Sequence, residues 1–227
     1  MMRLLKLIFM IVSIPLTAGF AAALVPEAAR FGAFELRHVV FLSGAGACVL
    51  AYPWLRRSGF FRTFEHELTH LIAAKAFFAK MESLQVHASG DGEVRYSRES
   101  NFVIALAPYF LPFFAACATL LGPALHPKIA VFALAPAGFL LMHHLVATCG
   151  EVFTGQPDIR ESGWLFSFCF VALFGLLIYG CIVSYAAGDY PAVLDFLRHG
   201  PVRAWELAAK YAPLLFHRTV ALVRGLF

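Results

Sequence analysis

Charge is what this sequence has least of. Across 227 residues, Asp, Glu, Lys and Arg together amount to 14%, where soluble globular chains carry about 25%. So few charges cannot cover a water-facing surface, and a conventional soluble domain is excluded. Apolar residues take their place: the chain is 60% hydrophobic, with 24 Phe and a mean hydropathy of +0.74. They cluster in runs near the roughly 20 residues that a helix needs to cross the hydrocarbon core. Lipid-facing loops and open sheets are ruled out at that depth, because each unpaired backbone group costs several kcal/mol there. The expectation is an all-α polytopic membrane protein with the lipid bilayer as its surroundings.

A cysteine framework is missing too. The five cysteines (Cys48, Cys117, Cys149, Cys169 and Cys181) are odd in number, lack CxxC spacing and lie in or beside apolar segments. That pattern excludes a disulfide scaffold and a thiolate zinc site, and small buried hydrophobes remain. There is no internal repeat and no low-complexity tract. The formal net charge is only +4, and no nucleic-acid partner is expected.

The apolar runs are 4–25, 39–55, 60–81, 101–125, 129–149 and 164–187, which makes about six transmembrane helices. The first is read as a retained anchor, since its apolar core exceeds the usual 7–15 residues of a signal peptide. Arg3, Lys6, Arg56, Arg57, Arg62, Lys128 and the basic tail then share one side, which places both termini in the cytoplasm. Lys80, Arg95 and Arg98 fall on the other. Pro108 and Pro112 mark 101–125 as a broken helix. Residues 1–187 form the membrane-embedded domain. Residues 188–227 mix apolar and basic residues and read as an amphipathic interfacial tail interrupted at Pro213. One interior stretch, "SLQVHASGDGEVRYS", alternates apolar and polar residues around Gly90-Asp91-Gly92, the pattern of a short β-hairpin.

Against this background "FEHELTHLIAAKAFF", residues 64–78, stands out. On a helix, positions four apart share a face, so His66 and His70 present two imidazoles to one ion, with Glu67 beside them. This is the HExxH pattern: two neutral histidines bind Zn²⁺ and the glutamate handles the protons of an activated water. Ionisable side chains in a membrane-length helix are functional by default. A metzincin site is excluded, because Ala73 and Ala76 stand where its Gly and third His are required. A histidine-box oxygenase is excluded by the scatter of the nine histidines. A third ligand has to come from elsewhere, and Asp158, His143, His144 and Glu151 are the candidates.

With "HELTH" on an apolar helix, a hairpin directly after it and a downstream aspartate in "QPDI" before a late span, the chain resembles the site-2 protease family, intramembrane zinc metallopeptidases of the M50 type. The likeness runs from about residue 60 to 187. It implies a metallopeptidase-like domain with His66, His70 and Asp158 as zinc ligands and Glu67 as catalytic acid/base. The substrate it implies is a peptide segment of a membrane-spanning or membrane-associated protein. The chain departs from the family at Thr69, where Gly is usual, and lacks the Asn-x-x-Pro…Leu-Asp-Gly stretch. The alternative reading is a catalytically inactive, zinc-stabilised membrane scaffold or partner-binding protein.

Overall fold

The computed structural model describes residues 2–86, 92–96, 101–152 and 156–224. In chain order these form α1 (Met2–Ala29), α2 (Leu36–Ser58), α3 (Phe60–Ala76), β1 (Met81–Val86), β2 (Gly92–Tyr96), α4 (Phe102–Phe110), α5 (Phe113–Leu121), a short α6 (Pro127–Ala130), α7 (Leu134–Val152), α8 (Pro157–Ser162) and α9 (Trp164–Arg224). Among the described residues, four helical stretches are long and apolar enough to cross a membrane: Arg3–Ala33, Leu36–Arg57, Lys128–Val152 and Trp164–Tyr211. The α4–α5 pair makes a fifth if its two arms count as one span; they meet at a 64° bend. The break falls at Leu111-Pro112, and Pro108 stays inside α4.

The expected six spans therefore become four or five, and the missing one is α3. Its 17 residues rise about 25 Å, short of the roughly 30 Å hydrocarbon core. The helix stops early in a left-handed cap. Phe78 takes φ 61, and the N–H groups of Phe78 and Ala79 turn back onto the carbonyls of Lys75 and Ala74 at 2.9 and 3.0 Å. This is a Schellman-type ending with Phe where Gly is usual. Without a glycine, nothing in the local sequence announces it. The chain then enters β1, which pairs antiparallel with β2 in the register Leu84↔Val94 and Gln85↔Glu93. Both strands pack on α3. Residues 87–91, including most of the expected turn, lie outside the described residues.

The frame around α3 is built from close helix contacts. At Gly44 of α2 and Gly138 of α7, an added Cβ would collide with the backbone of Ala135 and Phe41 respectively. Glycine here lets two helices approach backbone to backbone, the usual device where lipid supplies no hydrophobic drive for association. A run of aromatic contacts joins α1, α4 and α9, with Phe9, Phe102, Phe110, Phe166, Phe170 and Phe174 in ring contact.

α9 is two helices joined across a break at Gly188 and Asp189, the latter at φ 66. The exposed carbonyls at the break are met from α2. Arg37 donates to the carbonyls of Ala186 and Tyr185 at 2.9 and 2.6 Å, and His38 Nε2 lies 2.9 Å from that of Ala187. Cationic and N–H donors at a helix C-terminus satisfy its orphan acceptors. The segment read from sequence as an interfacial tail begins here. It folds back along α1, with Phe196 on Phe20 (ring centroids 5.3 Å apart), Gly19 against the backbone of Gly200 and Ala204, and Asp195 3.8 Å from Arg30. Helix geometry continues past Pro213, so the interruption expected there is absent.

Candidate metal centre

Helical spacing places His66 and His70 one turn apart on α3. Their Nε2 atoms lie 3.2 Å from each other. The opposite nitrogen of each ring is already engaged. His66 Nδ1 sits 3.2 Å from Glu151 Oε2 on α7, and His70 Nδ1 sits 2.9 Å from the carbonyl oxygen of Ile104 on α4. A carbonyl and a carboxylate only accept, so each Nδ1 carries a proton, and a neutral ring then has its Nε2 lone pair available for a metal.

The third donor is Asp158. It is the second residue of α8, after Gln156 at the cap and Pro157 at the first helical position. It caps no span: α9 starts six residues later, beyond Gly163 at φ 95. Its Oδ2 lies 3.6 Å from His70 Nε2 and 3.9 Å from His66 Nε2. Those separations are long for hydrogen bonds. They are close to the roughly 3.3 Å between neighbouring donors around a tetrahedral ion with 2.0–2.1 Å bonds. All three donor atoms fall within 4.8 Å of one another, and this is the only such His/Cys/Asp/Glu group among the described residues. An aspartate binds a metal ion as the carboxylate.

Two imidazoles and one carboxylate could hold a metal ion; donors of these types occur in catalytic zinc sites, which keep a fourth position for water or substrate. Both outer contacts, carboxylate to His66 and carbonyl to His70, are of the kind that orients metal-binding histidines. Glu67 is half-buried and, with His66, lines an open polar pocket whose other walls are Arg62, Thr63, Gly92, Glu151 and Gln156.

The remaining candidates are placed elsewhere. Glu151 stands behind His66, not beside Asp158, and Arg62 Nε holds its other oxygen at 3.3 Å. His143 and His144 face a different side of α3. There they flank Glu65, at 3.5 Å from Oε2 and 3.6 Å from Oε1. Asn101 caps α4, its Oδ1 accepting from the backbone of Val103 and Ile104.

Two participants went unnoticed in the sequence, Glu65 and Tyr109. Glu65 precedes the motif by one residue, about 100° around the helix, so the periodicity that picks out His66 and His70 passes over it. Glu65, His143 and His144 are each no more than 4% exposed and tie α3 to α7. Removing one partner of a buried ionisable group is strongly destabilising, on the order of 3 kcal/mol. Glu65→Ala is therefore expected to lower the thermal unfolding midpoint in detergent clearly, and an unchanged midpoint contradicts the pairing.

No protein-family model, curated protein or solved structure matches the chain.

Proposed function

We propose that this protein is an intramembrane zinc metallopeptidase of the site-2 protease type, resident in a bacterial cytoplasmic membrane, that cleaves a peptide bond in a membrane-spanning or membrane-associated protein. The observation that carries the reading is the convergence of His66 Nε2, His70 Nε2 and Asp158 Oδ2, with both Nδ1 atoms turned to outer acceptors. Its setting supports the same class: a short helix packed among helices of membrane length, beside a polar pocket that Glu67 lines.

Zinc, when bound, is a Lewis acid that makes water nucleophilic near neutral pH. The protein's own groups do the rest. Glu67 accepts the proton of the attacking water as general base and returns it to the departing amine as general acid. Glu151 and the Ile104 carbonyl keep the imidazoles in register. The β1–β2 hairpin lies against α3, and Gly92 at the start of β2 reaches the pocket wall. A strand edge there can take an unwound substrate segment by backbone pairing, which presents it extended to the site.

The test is reconstitution. Purified protein in liposomes with single-span reporter proteins is expected to cut at least one of them, to stop when a chelator strips the metal, and to resume on addition of zinc. Cleavage that persists unchanged after complete metal removal contradicts the proposal.

A further inference from the structure

We infer that Tyr109 is a positioning residue for the metal centre, acting through Asp158; the inference rests on the reading of the triad as a zinc site. Tyr109 is fully buried, yet its hydroxyl donates to Asp158 Oδ2 at 3.3 Å. That oxygen is the one facing both imidazoles. With one lone-pair direction taken by the Tyr109 O–H, the remaining one is left to face the histidines.

Tyr109 is itself held on several sides. Its backbone carbonyl accepts from the Tyr179 hydroxyl at 3.2 Å, and its ring meets His66 edge-on with centroids 5.4 Å apart. α4 starts at the Asn101 cap and ends at the Leu111-Pro112 break, so Tyr109 sits one residue from the end of a helix with fixed limits. The same helix provides the Ile104 carbonyl that holds His70. One nine-residue helix thus sets two of the three donors.

Asp158 needs such a partner more than the histidines do. It rides on α8, a helix of only six residues, tied to α9 by Ser167 donating to the Ile159 carbonyl at 3.0 Å. Its side chain is 30% exposed, against 14% and 10% for His66 and His70. A half-open aspartate on so short a helix has other rotamers to visit, and the Tyr109 hydroxyl selects the one that faces α3.

The decisive measurement is zinc affinity, by competition with a chromophoric chelator, for wild type, Tyr109→Phe, Asp158→Ala and the double variant. Phe keeps the ring against His66 and removes only the hydroxyl. Loss of an outer-shell partner typically weakens metal binding by about 10–100-fold, and Tyr109→Phe is expected to fall in that range with its unfolding midpoint little changed. In the Asp158→Ala background the same substitution is expected to have no further effect, since its only route to the metal is gone. Zinc-binding wild type with an equally tight Tyr109→Phe overturns this inference alone, as does an equal additional loss in the double variant. Wild-type protein that takes up no zinc overturns the metallopeptidase reading and this inference with it.

Discussion

Glu67→Gln is expected to lower peptide cleavage by about 10²–10⁴-fold, the usual contribution of a general acid–base group, while zinc content stays at the wild-type level. Gln matches Glu in size and keeps the helix intact but cannot take a proton from water. Glu67 lies outside the converging triad and lines the pocket beside it, so its loss is expected to leave the donors in place. Parallel assays of cleavage and metal content read the two effects separately. Undiminished cleavage with zinc retained contradicts the catalytic role and favours the zinc-stabilised scaffold.

His70→Ala is expected to act the other way, removing the metal and the activity together. It deletes one of three donors and leaves the Ile104 carbonyl without its N–H partner. The loss of affinity is expected to exceed the roughly 100-fold upper range for outer-shell changes. Asp158→Ala follows the same logic. Because the imidazoles must be neutral to bind, affinity is also expected to fall as pH drops and protons compete for the Nε2 atoms. Full zinc retention in His70→Ala, measured by elemental analysis after gel filtration, contradicts the assignment.

The parts of this architecture that were legible in sequence are those written in local periodicity. Four-residue spacing put His66 and His70 on one face of α3, alternation marked the two strands, and Pro112 marked the break in 101–125. Asp158 was legible only as one of four possible third ligands. Nothing local separates it from Glu151, which also reaches His66 but on its Nδ1 side. What was missed depends on backbone choices or long-range contacts. Phe78 ends α3 in a conformation normally left to glycine, and the break of α9 at Gly188-Asp189 is met by Arg30, just past α1, and by Arg37 and His38 of α2. Tyr109 reaches Asp158 across 49 positions, a separation over which sequence pattern carries no information.

The central claim is that His66, His70 and Asp158 hold one zinc ion, and metal analysis of the purified wild-type protein tests it most directly. After equilibration with zinc and removal of the excess, elemental analysis combined with X-ray absorption is expected to find about one zinc per chain, with nitrogen and oxygen ligands at about 2.0–2.2 Å. A folded, monodisperse protein that retains no zinc under those conditions contradicts the account.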